Sequence, residues 1–196
     1  MGKRKVIYIL IILAFFLHYG RTQDVFVDWE RLQSAWKEYI EYPSSENALK
    51  VYLLLPEKER VMNVEEQCLD LIFDFDNFSI LEHEIYAGER NAVRVAFRLL
   101  NIADGHYTEE LWTTLGNLIR IHPKLFLETL KEHMHIEPIK EIGPPVEVTG
   151  HIFVDRFKAQ ELEKKLRIKA LESVKDKGLR KIRDKCIEIL KKDCLN

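Results

Sequence analysis

Apolar residues recur at three- and four-residue intervals along most of this chain, the spacing of helices that bury one face. Trp29, Leu32, Trp36, Tyr39 and Ile40 form the first such stripe, with Asp28 placed before it as an N-cap. Ser44 and Ser45, after Pro43, open a second helix carrying Ala48, Val51, Tyr52 and Leu55 and stopped by Pro56. Asn63 followed by Glu66, and Ser79 followed by Glu82, repeat the spacing of a capping box, so helices are expected to begin at both. The second of these runs toward Gly88, a natural C-cap. Thr108 is the expected cap of a later helix with Leu111, Trp112, Leu115, Leu118 and Ile119 on one face. Pro123 suits the first position of the next, which carries Phe126, Leu127, Leu130 and Met134. Two final helices are expected at about 155–174 and 178–192, with inward stripes Phe157, Leu162, Leu166, Leu171, Val174 and then Leu179, Ile182, Cys186, Ile189. No pair of segments alternates convincingly with a period of two. The expected class is therefore all-α: an irregular array of antiparallel helical pairs, either a short α-solenoid or a bundle.

The stretch 89–103 (ERNAVRVAFRLLNIA) is apolar around most of its circumference, which predicts a central helix. Ala92, Val93, Ala96, Leu99, Leu100 and Ala103 should be buried. Arg90, Arg94 and Arg98 recur every four residues and should line one polar edge, a candidate binding edge. The run from Glu89 to Leu100 resembles the second helix of a HEAT-type repeat, with an acidic residue, then Val-Arg, then Ala, then Leu. The resemblance is best over 89–100 and extends loosely over 63–134. It implies a short, irregular helical array of a kind that usually binds other proteins.

The first residues are of another kind. Gly2-Lys3-Arg4-Lys5 is a basic stub, Val6 to Leu17 is twelve residues free of charge, and a polar, turn-permissive stretch follows. That is the plan of a secretory signal peptide. Twelve helical residues span roughly 18 Å, short of the about 30 Å of a bilayer core. Residues 1–23 are thus expected to be a signal peptide, or an uncleaved anchor, since His18 sits poorly before a cleavage site at Gly20. A helical domain at 24–134, a Pro/Gly linker at 135–150 with a short extended piece near Val146-Glu147-Val148, and basic helices at 151–196 complete the expected layout. The expected destination is outside the cytoplasm: periplasm, cell surface or medium.

Charge changes the picture in one respect. The chain holds 30 Lys+Arg and 32 Asp+Glu, a formal net charge of −2, which argues against nucleic acid as an electrostatic partner. The charge is polarised, however: residues 155–196 carry 14 basic and 8 acidic side chains, and residues 21–153 carry 13 basic and 24 acidic. The basic end is expected to dock on the acidic body, with contact to a membrane through it, or through the N-terminus, as the sharper alternative. Cys68 and Cys186 lie on apolar stripes and read first as core residues. An exported chain leaves a Cys68–Cys186 bridge, or one to Cys194, as a candidate disulfide.

Candidate chemistry is sparse. His133-Met134-His135 has the most metal-like spacing, though on a helix the two imidazoles point about 200° apart. A solvated helix end is the plainer reading, with Glu132 or Glu137 as added ligands in the other. Asp74-Phe75-Asp76-Asn77 starts like a calcium loop but lacks its glycine and terminal glutamate, so capping explains it better. Asn77-Phe78-Ser79 is a glycosylation sequon. No nucleophile elbow, phosphate-cradling glycine loop or zinc-spaced cysteine pair occurs, and no cofactor is implied. The sequence thus favours an exported helical interaction or scaffold domain with a protein partner. An extracytoplasmic hydrolase or metal-dependent enzyme with dispersed residues, and a membrane-surface protein, are the alternatives.

Overall fold

The computed structural model describes residues 26–57, 65–135, 146–147 and 157–192. They form helices and no strand: α1 Trp29–Glu41, α2 Ser45–Leu54, α3 Glu66–Ile72, α4 Phe75–Tyr86, α5 Arg90–Leu99, α6 Gly105–Ile121, α7 Pro123–His133, α8 Phe157–Ser173 and α9 Arg180–Lys192. None of the described helices is long and apolar enough to cross a membrane. The expected leader lies outside the described residues, as do Asn63 and Cys194.

Several helix ends follow the local chemistry that the sequence announces. The Asp28 carboxylate accepts from the Arg31 amide, and Ser44 Oγ accepts from the Asn47 amide, each closing one orphan donor of a first turn. Pro123 opens α7. At the end of α4, Gly88 adopts a φ of +85°. The Gly88 amide then donates to Ile85 and the Glu89 amide to Glu84, the two bonds of a Schellman closure. Three starts differ from expectation. Helix α4 begins at Phe75 because Asp74 accepts from the amides of Asp76 and Asn77; Ser79 lies inside the helix, its hydroxyl donating to the Asp76 carbonyl. Helix α6 begins at Gly105 after Asp104, which leaves Thr108 within it. Helix α3 begins at Glu66, and Glu65 at its cap contributes no side-chain bond.

The helices stack as hairpins in two rows. Helices α1, α4, α6 and α8 form one row, α2, α5, α7 and α9 the other, and each packs on the next in its row as well as on its hairpin mate. Side-chain register fixes the directions. Along α2 and α5, Ser45 meets Asn91 while the carbonyls of Tyr52 and Leu55 meet Arg98, so these helices run parallel. Along α5 and α7, Arg90 meets Glu128 and Arg94 meets Glu132, again parallel. Glu82 with Thr114 and Tyr86 with Asn117 make α4 and α6 parallel too. The last hairpin reverses: Arg120 meets Glu163 and Gly116 meets Arg167, so α8 runs antiparallel to α6. The small helix α3 packs beside α1 and α4.

Helix α5 is at the centre, packed by α2, α4, α6 and α7. Ala92, Val93, Ala96, Leu99 and Leu100 are buried as their stripe requires; Ala103 is half-buried. Helix α8 departs from expectation. Leu162 and Leu166 are 58 % and 37 % exposed, while Glu163, Lys164 and Arg167 are buried with Leu171 and Val174. The helix is turned by about one residue position, roughly 100°, from the orientation its leucines suggest. An ion-paired network takes the place of the leucine contacts.

Candidate functional site

The sequence singled out Arg90, Arg94, Arg98, His133 and His135, and the fold brings all five to one region, where α2, α5 and α7 meet. The arginines do not line a common polar edge. They descend from solvent into the core: Arg90 is exposed, Arg94 half-buried, and Arg98 only 6 % exposed. Arg90 pairs with Glu128 at 2.9 Å and Arg94 with Glu132 at 2.7 Å, so two carboxylates one turn apart on α7 answer two guanidiniums one turn apart on α5. Arg98 donates to the carbonyls of Tyr52 and Leu55, each at 3.0 Å, and pairs with Glu57 at 2.7 Å. Those carbonyls are orphans of the last turn of α2, which has no basic residue of its own there. Arg98 is therefore the cap of a neighbouring helix. Tyr52 completes the cluster, with the guanidinium carbons of Arg94 and Arg98 each 4.0 Å from its ring centroid.

His133 is fully buried, not part of a solvated helix end. Its Nδ1 donates to the Thr129 carbonyl at 2.8 Å, which leaves Nε2 as the acceptor for the Tyr52 hydroxyl at 3.3 Å. The ring stacks on Phe97 and lies 6.2 Å from that of His135. Burial pulls the His133 pKa down to about 4, against a smaller upward pull from the Thr129 carbonyl. Both ring nitrogens are engaged and the imidazole is neutral, so the metal candidate built on His133 and His135 is replaced by a core histidine. Among the described residues no group of three metal-ligating side chains converges.

A second polar network lies between α6 and α8. Glu163 receives Arg167 Nε at 2.9 Å and Arg120 Nη1 at 2.7 Å. Arg167 also donates to the carbonyls of Val146 and Glu147, both at 3.1 Å, pinning that part of the chain against the array. Val146 is fully buried as a result, and neither it nor Glu147 forms a strand; Val148 lies outside the described residues. A Cβ on Gly116 would come 2.6 Å from Arg167 Nη1, so the guanidinium occupies the space that a side chain there would need.

The thiols are structural. Cys68 and Cys186 are free and buried, and the bridge between them is not formed. Cys68 lies in α3, against α1 and α4; Cys186 lies in α9, against α7 and α8. Burial raises the Cys68 thiol to about 11, with a further rise from Glu65, and the Cys186 thiol to about 12. Asn77 of the sequon donates its side-chain amide to the Leu71 carbonyl at 2.8 Å, closing the end of α3.

Sequence reasoning missed a cavity of about 300 Å³ between the first turns of α4 and α6. Phe73 and Phe78 are buried beside it with their rings stacked at 5.4 Å, and Phe75, 83 % exposed, stands at its rim. Glu82, Glu109 and Glu110 face it from the two helices, with His106 also in the lining. The spacing of Phe75, Phe78, Ser79 and Glu82 puts them on one face of α4, a pattern that the capping-box spacing of Ser79 and Glu82 conceals. Glu82 is partly occupied, since its Oε1 accepts from Tyr86 and Thr114.

These features define an all-α protein of stacked helical hairpins whose interior charge is neutralised within the stack. No protein-family model matches the chain, nor does any curated protein or solved structure.

Proposed function

We propose that this chain is an exported helical interaction module that holds a protein partner on its stack of hairpins. The observation that carries the reading is the two-row stack itself, in which hairpins pack side by side within the rows. Large apolar side chains stand exposed on it: Leu53 on α2, Phe75 on α4 and Leu162 on α8. The HEAT-type pattern of residues 89–100 falls on α5, a central helix of the stack, which supports the same reading. Export rests on the basic stub and apolar run of residues 3–17. The test is affinity capture by the mature protein in its native compartment, compared with a Leu53→Asp, Leu162→Asp variant. A partner retained by the first and lost by the second supports the proposal. Equal capture by both, or none by either, removes it.

A further inference from the structure

The cavity between α4 and α6 combines two features that together select one kind of guest. Its walls are aromatic, from Phe73, Phe75 and Phe78, and its charged lining is carboxylate, from Glu82, Glu109 and Glu110. Neither the Glu109 nor the Glu110 carboxylate is engaged by another described side chain. A cation that can lie flat on a ring and present paired donors to a carboxylate satisfies both features, and a guanidinium has that shape. The same three-part arrangement is already built inside the protein. Around Tyr52, the guanidiniums of Arg94 and Arg98 face an aromatic ring and pair with Glu132 and Glu57. The cavity has the ring and the carboxylates on its walls, and among the described residues no lysine or arginine lines it.

We propose that this cavity receives an arginine side chain of the partner polypeptide. The inference rests on the interaction-module reading and names how the partner is held. Phe75 at the rim covers the guanidinium, Glu109 and Glu110 take its donors, and the stacked pair Phe73 and Phe78 forms the apolar wall beside its methylene stem. The surplus of acidic over basic side chains in residues 21–153 favours approach of a basic segment. Lysine fits less well, because a compact, strongly hydrated ammonium gains less from the rings and offers no planar fork.

The probe is the blocked tripeptide acetyl-Ala-Arg-Ala-amide, titrated into isotopically labelled protein and followed by amide chemical shifts. Its citrulline and lysine counterparts serve as a neutral isostere and a charge control. The arginine peptide is expected to shift the amides of residues 73–82 and 106–114 saturably, with a Kd on the order of 1 mM for so small a contact. The citrulline peptide should bind at least about tenfold more weakly, a difference of about 1.4 kcal/mol. A Glu109→Gln, Glu110→Gln variant should lose about the same factor. Phe75→Ala should weaken binding several-fold, consistent with loss of a cation–ring contact. All three side chains are exposed, so the variants should keep the parent Tm. Equal shifts from arginine and citrulline, or arginine shifts confined to another face, overturn the proposal. So does a captured partner that binds the Glu109→Gln, Glu110→Gln variant as tightly as the parent, a result that leaves the interaction-module reading standing. Peptide binding at the cavity with no partner captured would instead retain the arginine site and remove that reading.

Discussion

His133 shows how a single residue changes character with its surroundings. On paper it is a polar residue near a helix end; in the fold it is enclosed by Phe97, Tyr52 and the Thr129 carbonyl. An exposed imidazole takes its proton near pH 6.5, whereas His133 takes one only near pH 4. The unfolded chain therefore binds the proton first, and stability attributable to this group falls as pH drops from about 6.5 to 4, by roughly 3 kcal/mol in all. Urea midpoints measured between pH 7.5 and 4 should decline more steeply in the parent than in a His133→Gln variant. Parallel declines would show that other groups set the acid response. Gly88 makes a second residue-scale case. Its φ of +85° lies where a side chain is strained, and an added Cβ would press on the His122 ring at 3.0 Å. Gly88→Ala should cost about 1–2 kcal/mol in chemical denaturation, reversing the gain that alanine usually brings within a helix.

At the scale of the element, α5 and α8 respond oppositely to the same kind of sequence pattern. In α5 the apolar stripe is the buried stripe. Leu100→Ala should therefore cost about 2–5 kcal/mol, as expected of an enclosed leucine at the end of a central helix. Arg98→Ala should cost a comparable amount, about 2–4 kcal/mol, because it strands the last carbonyls of α2 and uncovers Tyr52. Arg90→Ala, whose pair with Glu128 is exposed to water, should cost under about 1 kcal/mol. Equilibrium unfolding of the three variants separates a capping arginine from a surface one, and equal small losses from Arg98→Ala and Arg90→Ala would contradict the capping role. In α8 the leucines at 162 and 166 turn outward, because Glu163 and Arg167 are satisfied by each other, by Arg120 and by the carbonyls of residues 146 and 147. Gly116→Ala tests that arrangement. The guanidinium it would displace is 2 % exposed and held by three groups, so a lower Tm is expected despite the helix-favouring change. An unchanged or higher Tm would mean that Arg167 moves aside freely.

For the whole molecule, the spacing between helices that pack on one another changes along the chain. Two of the bonds linking α2 to α5 join residues 46 apart, at Ser45 with Asn91 and at Tyr52 with Arg98. Those linking α5 to α7 join residues 38 apart. The inserted helix α3 is 7 residues long, close to the difference between the two spacings. The helices of these pairs therefore run parallel although the spacing between them along the chain differs. The reversed hairpin α8–α9 ends the parallel order, in keeping with the long connection between α7 and α8. For the proposed export, intact-mass measurement on protein recovered from outside the cytoplasm should show a new N-terminus between Gly20 and Asp24. Retention of Val6 to Leu17 on most molecules would show an anchor instead.

By itself the sequence determined the all-helical class, most helix positions, the burial of α5, the caps at Asp28, Ser44 and Gly88, and the start of α7 at Pro123. These depend on local rules: periodicity, one side chain closing a first turn, and a glycine free to take positive φ. Only the tertiary structure decided which way α8 faces, that Arg98 caps α2 from another helix, that His133 is buried, and that the aromatic cavity opens between α4 and α6. Each of these joins groups more than 20 residues apart, through hydrogen bonds, ion pairs or the packing of two helices. A polar side chain reads as solvent-facing until its partners are in place. Arg167, Glu163 and His133 each have one partner a helical turn away, but the Val146 carbonyl, Arg120 and Tyr52 that complete their burial come from distant segments and leave no periodic trace.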